Sequence, residues 1–241
     1  AAKGEQRPQG LALTFTQPTG GAANPDLTVA IAAMGGEWWN WIALPYTDTT
    51  SLEAIEGELA DRYGPMRQIG GRAFAAFRGN HADTATLGNG RNAPHVTIMG
   101  TNLVPSPTWL WCATNAIVGA QALAIDPARP LQRLALPGLM GPTESTRWSD
   151  PERNLLLFDG IATYTVATDG TVQIERQITT YQENAAGIAD DSYLDINTPE
   201  TLERLRFEQI STFAQKYPRH KLASDEDREL YDPSLPIMTP K

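Results

Sequence analysis

Six residues near the C-terminal end concentrate basic chemistry: Lys216-Tyr-Pro-Arg-His-Lys221. The whole chain carries a formal charge of −9, so this knuckle runs against its background. Lys216, at the end of an expected helix, complements the partial negative charge of the last turn. Arg219, His220 and Lys221 follow Pro218 on an exposed turn, where they either stay solvated or pair with acidic groups of another surface. Arg206 raises the same question. It falls inside the apolar arc of Leu202, Phe213 and Tyr217, where a guanidinium must snorkel, find a carboxylate or meet a partner chain. Snorkelling is the expectation.

Catalytic constellations are sparse. No Gly-x-Ser-x-Gly occurs, and no serine directly follows a glycine. His81, His95 and His220 stand alone, and each reads as a surface or hydrogen-bonded structural histidine. Cys112 sits between Trp111 and Ala113 in an apolar stretch, where a thiol is inert. Gly88-Asn-Gly-Arg91 lacks the Gly-Lys-Ser/Thr of a phosphate loop and reads as a turn. Asp190-Asp191 and Asp225-Glu-Asp227 lack calcium-loop spacing, and Ser224 with the acids after it reads as a helix start. No catalytic residue, metal ligand or cofactor is expected. Trp38-Trp-Asn-Trp41 fits a sugar-stacking platform or a strand buried on both faces, and burial is the expectation. Two rivals remain open: an α/β hydrolase, and an aromatic carbohydrate-binding or adhesion module.

Composition narrows the partners. The negative balance argues against nucleic acid or an anionic membrane. Arginine outnumbers lysine 15 to 4, which is compatible with protein–protein contacts. The single cysteine excludes a disulfide within the chain and favours an intracellular folding environment. Residues 1–10 hold no signal-type apolar run. The apolar run Trp109–Ile125 is interrupted by Thr114, Asn115 and Gln121 and reads as a buried helix, short of the ~20 apolar residues of a membrane span.

The elements that would carry these residues alternate in type. Leu11–Thr16 reads as a strand. A helix opens at Asn24-Pro25, with Asn24 as N-cap, and stops at Gly35-Gly36. Strands follow at Trp39–Leu44, Arg72–Arg78 and His95–Met99, with an extended piece at Leu131–Leu136. Between them come helices at Ser51–Tyr63, His81–Leu87 and Thr108–Ile125. In the first of these, Leu52, Ile55, Leu59 and Tyr63 share a face, and Glu58 sits four before Arg62. This α-β alternation from 24 to 136 predicts an open, mostly parallel α/β sheet with helices on both faces. Beyond a Pro/Gly-rich loop, Ser149 starts a helix. Ile161–Ala167 and Thr171–Ile178 flank Asp169-Gly170 as a hairpin. A C-terminal helix starts at Asn197 or Thr198 with an apolar stripe of Leu202, Leu205, Ile210, Phe213 and Tyr217. The organisation is then 1–23 as strand and linker, 24–136 as core, 137–221 as hairpin and helix, and 222–241 as a tail. Both abrupt ends read as those of a piece of a longer polypeptide.

Long stretches carry a resemblance. "ALPYTDTTSLEAIEGELADRYGPMRQIGGRAFAAFRGN", "NAPHVTIMGTN", "AIDPARPLQRLALPGL", "ERNLLLFDGIATYTV", "SYLDINTPETL" and "KYPRHKLASD" occur in this order. Together they resemble the tail sheath proteins of contractile-tailed phages, in the Mu-like branch, over about Asn24 to Lys241. The resemblance implies a structural subunit, not an enzyme, with a core of the doubly wound, subtilisin-like shape. It implies polymerisation around a tail tube and contraction that drives the tube through the host envelope. Implied partners are other sheath subunits, the tube protein, the baseplate and the tail terminator. The implied location is the virion tail, assembled in the host cytoplasm, and a related contractile injection machine is equally open. The segment alone is expected to be monomeric. Lys216, Arg219, His220, Lys221 and Arg206 are the candidate contacts to a neighbouring subunit or domain.

Overall fold

The computed structural model describes residues 24–222 and 237–238. The expected strand at 11–16 and the acidic stretch after Ser224 lie outside them. Seven elements form the core in order: α1 (Leu27–Met34), β1 (Trp41–Leu44), α2 (Thr49–Tyr63), β2 (Arg72–Phe77), α3 (His81–Asn89), β3 (Val96–Gly100) and α4 (Thr108–Ile125). The three strands form a parallel sheet in the order β1-β2-β3, with Trp41 opposite Arg72 and Ala73 opposite Val96.

A parallel strand covered on both faces needs apolar side chains at consecutive positions. β2 and β3 meet that demand. Phe74 and Ala76 face one core, with Met99, Trp111 and Cys112. Ala73 and Ala75 face the other, with Leu52, Ile55, Leu59 and Ile98. Helix α4 covers the first face and α2 the second, so helices flank the sheet on both sides as expected. Close approach of α4 depends on Gly119, where an added Cβ would lie 2.9 Å from Phe74 Cε1.

After α4 come α5 (Asp150–Phe158), β4 (Thr163–Val166), β5 (Val172–Arg176) and α6 (Asn197–Lys216), with a two-residue parallel ladder of β6 (Lys221–Leu222) and β7 (Ile237–Met238). Ser149 opens α5 with a reciprocal capping box to Glu152. β4 and β5 form the hairpin, and Gly170 takes the positive φ of 86° that its turn requires. The chain entering β4 continues the main sheet: Ala162 N donates to Ile98 O, and Gly100 N to Ala162 O.

Several expectations are corrected. Asp26, not Asn24, caps α1, accepting from Thr28 N, while the Asn24 amide donates to Asp48. Leu131–Leu136 does not join the main sheet. Arg133, at φ 63°, breaks the extended run, and the segment pairs with the free edge of β5 through Arg133 N to Ile174 O and Leu136 N to Val172 O. The strand expected from Trp39 starts at Trp41, and Trp38 and Trp39 are exposed, not core. Helix α4 is buried on one face only; Trp109, Ile117 and Ile125 face outward. By length and composition it would also pass as a membrane span, yet its inner face lies on β1 and β2. Neither Asn197 nor Thr198 caps α6. The Asn197 amide instead donates to Pro127 O and Arg129 O, tying α6 to the end of α4.

The Gly119 contact yields a direct test. Gly119→Val should cost about 1–3 kcal/mol by overpacking Phe74, read as a lower urea midpoint, and Phe74→Leu in the same chain should recover part of the loss.

Candidate functional site

The residues singled out in the sequence cluster on and after α6, so the geometry that positions this helix defines the site. Its underside is ionic. Arg72, the first residue of β2, is fully buried. Its Nη1 lies 3.0 Å from Glu203 Oε2, and its Nε 3.5 Å from Glu200 Oε2. Nη1 also donates to Gly71 O at 2.7 Å. The Glu203 carboxylate rests on Gly70, where an added Cβ would come within 1.8 Å of it. At Gly71 a Cβ would meet Trp39 O at 2.5 Å. Gly70 therefore opens the space into which α6 lowers the Glu203 carboxylate, and Gly71 lets the chain pass close to the Trp39 backbone. Burial raises the Glu200 carboxyl above its ordinary range, against the pull of Arg72.

One turn on, Arg206 completes the clamp. Its guanidinium stacks 4.2 Å from the Tyr63 ring centre, and Nη1 donates to Tyr63 O at 2.8 Å. Arg206 is thus engaged with its own chain, by cation–π stacking and a carbonyl, where snorkelling was expected. Tyr63 also packs on His95, ring centres 4.7 Å apart. His95 is buried, and its Nδ1 has no partner among the described residues. It is neither the surface nor the hydrogen-bonded histidine expected from sequence. Burial, with the Arg72 and Arg206 guanidinium groups nearby, pushes its pKa down to about 3, so the ring stays neutral.

A second arginine network fixes the rim. Glu58 and Arg62 read from sequence as a mild helix-surface pair. Arg62 is in fact buried, with Nε on Glu58 at 2.7 Å, Nη1 on Glu37 O and Nη2 on Gly35 O. It holds the loop after α1, from which Trp38 reaches Phe207 of α6 edge-on at 5.4 Å.

The apolar stripe of α6 is not used in this packing. Leu202, Leu205, Ile210, Phe213 and Tyr217 are all exposed, and only Pro199 and Glu203 are buried on the helix. Beyond Phe207 the helix projects from the body. The basic knuckle stands at its far end. Lys216 and Arg219 are exposed and make no ion pair among the described residues. His220 packs edge-on against Tyr217 at 5.1 Å, and the Lys221 backbone joins β6. The structure therefore separates Arg206, which holds the helix down, from Lys216, Arg219, His220 and Lys221, which follow the projecting half.

The remaining polar candidates sit elsewhere. His81 Nε2 bonds Glu152 O at 2.9 Å, and its ring meets Trp148 edge-on. Cys112 is buried, its thiol pushed up to about 11. Among the described residues no hydrogen bond links a histidine ring to a serine or cysteine, and no acid/His/Cys cluster has the makings of a metal site. Gly70-Gly71 and Arg72 escaped the sequence reading. The available signal was a charged residue opening an otherwise apolar strand directly after two glycines.

Comparison with known proteins places this architecture. The family model for the phage tail sheath protein central domain matches residues 20–180. The chain belongs to the phage tail sheath family. It is 46% identical over 238 residues to the Mu-like prophage FluMu tail sheath protein of Haemophilus influenzae, a match that covers 99% of this chain and 48% of that protein. The chain thus spans about half the length of its curated relative. The fold of this sheath-family chain is shared with the sheath tail protein of Desulfitobacterium hafniense, at TM-score 0.62 and 17% identity, over 91% of this chain and 50% of that one. It is also shared with the helical sheath of the anti-feeding prophage in its contracted state, at TM-score 0.51 and 16% identity, over 81% and 53% of the two chains.

Two outcomes test the clamp. Arg72→Ala leaves Glu200 and Glu203 buried without their cation and should cost about 3–5 kcal/mol, with new proteolytic cuts within α6. His95 is depressed in the folded state, so its stabilisation is complete above its ordinary value of 6.5 and is lost as pH falls towards about 3. Urea unfolding should lose about 2 kcal/mol between pH 6.5 and pH 5, at ~1.4 kcal/mol per pH unit, and His95→Gln should flatten that slope.

Proposed function

We propose that this chain is the core part of a contractile tail sheath subunit, which polymerises around a tail tube and contracts to drive the tube through the host envelope. The observation that carries the reading is the 46% identity to a Mu-like prophage tail sheath protein along 99% of this chain. The family match and the shared fold with a helical sheath support it. Partners in this reading are other copies of the subunit, the tail tube, the baseplate and the tail terminator, within a virion tail assembled in the host cytoplasm. Its core is 24–136, read as a doubly wound, subtilisin-like shape completed by the hairpin and helix of 137–221.

In this reading the basic knuckle is a contact point. Lys216, Arg219, His220 and Lys221 stand past the projecting half of α6 and meet carboxylates of an adjacent subunit or of the remaining half of the polypeptide. Screened ionic contacts re-form readily between surfaces that slide. The 241-residue chain alone is monomeric in dilute solution.

The full-length polypeptide should form hollow, ridged tubes by negative-stain electron microscopy, alone or with purified tail tube, while the 241-residue chain sediments as a monomer. Arg219→Glu with Lys221→Glu should abolish the tubes. Normal assembly and contraction of the charge-reversed protein would remove the role given to the knuckle. Failure of the unaltered full-length protein to form tubes, even with tail tube, would remove the sheath reading.

A further inference from the structure

Among the described residues two apolar surfaces lack partners, and they suit each other. The first is the outer face of α4. This helix runs 18 residues without a charge, about 27 Å, in a chain where 20% of residues are charged. A helix that faces water normally carries charge on that face. Here Trp109, Ala113, Ile117, Ala120 and Ala124 recur at i, i+4, i+8, i+11 and i+15. Trp109 and Ile117 are 60% and 68% exposed. Two large residues, Trp109 and Ile117, set among alanines leave grooves that accept the side-chain ridge of a second helix.

The second surface is the projecting half of α6. Ile210, Phe213 and Tyr217 are 44%, 43% and 41% exposed. In its own chain α6 meets α4 only near the C-terminal end of that helix among the described residues, where Arg204 Nη1 donates to Ala124 O at 3.5 Å. α6 starts at the C-terminal end of α4, through Asn197 on Pro127 and Arg129. Its last side chains joined to the described body are Arg206 and Phe207.

Resting on the sheath reading, we propose that the outer face of α4 seats the second half of α6 from a neighbouring copy of this chain. Phe213 lies over Ile117 in this contact, and Lys216 and Arg219 point towards Asp126. Charge selects this occupant. Two copies at −9 repel each other over most of their surfaces, and least where acidic groups are absent. The α4 stripe has none, and the one acid in the projecting half, Glu208, is paired with Arg204 at 2.9 Å. The cations at the end of α6 complement Asp126 and the negative pole of α4. Because the two patches differ, the contact is heterologous. Each copy offers a helix to one neighbour and a seat to the other, and such contacts propagate as rings or open helices.

Paired cysteines in the full-length polypeptide test the contact. Ile117→Cys and Phe213→Cys are introduced together, tubes are assembled and mildly oxidised, and the chains are separated on a denaturing gel. Cys112, buried with its raised thiol pKa, stays silent. The expected result is a ladder of covalent oligomers, absent when Phe213→Cys is omitted. Tubes that yield monomers only would overturn the inference and leave the sheath reading standing. Absence of tubes from the unaltered protein, with or without tail tube, would overturn both. A charge swap gives a second reading. Ile117→Lys and Phe213→Glu singly should each lower the assembled fraction at least about tenfold by placing a lone charge in an apolar contact. The soluble chain's melting should be unchanged, and the double variant should recover assembly. Singles that assemble normally would count against the contact as surely as an empty ladder.

Discussion

A guanidinium buried at the first residue of the central strand decides where the last helix lies. Arg72 has no exposed surface, and an arginine in that position needs carboxylates within reach. Among the described residues α6 supplies them, as Glu200 and Glu203 one turn apart, over Gly70, which leaves room for the Glu203 carboxylate. Removing either partner strands the other in a poorly solvated site, so the pairing chooses one placement of the helix over its alternatives more than it adds net stability. The exposed apolar stripe follows from this choice. Had α6 packed by Leu202, Leu205 and Phe213, its carboxylates would have pointed to water and Arg72 would have been left alone.

The rest of the fold prepares that placement. Double-sided burial forces β2 and β3 into continuous apolar runs and leaves Arg72 as the charge that opens the central strand. Arg62 and Arg67 hold Gly35 O at the end of α1, which steadies the loop carrying Trp38 under Phe207. Arg206 and the neutral His95 stack around Tyr63 at the C-terminal end of α2. α6 is thus held at one end and, among the described residues, unsupported at the other. That suits a part that reaches outward.

This division of labour is found in a chain of the phage tail sheath family. Surfaces left apolar on a single copy have a physical cost in water. Here they fall on two helices of differing character, one uncharged and one tipped with cations.

Helix α4 was legible residue for residue, because an 18-residue run without charge or proline, bracketed by Pro107 and Pro127, admits few other readings. The strands β2 and β3 were legible from their consecutive apolar residues, and the hairpin from Asp169-Gly170 flanked by alternation. Local chemistry alone sets these features. The capping roles of Asn24 and Asn197 misled, since an asparagine amide serves a distant backbone as well as its own helix. The tryptophans misled because ring size says how much area is available to bury, not whether a neighbour arrives to bury it. The identities of the elements, their order and the family resemblance were thus determined by sequence. Only the tertiary structure decided which charges share a low-dielectric space: Arg72 with Glu200 and Glu203 lies about 130 positions away along the chain, and no local pattern encodes a pairing over that separation. That pairing turns the apolar face of α6 outward.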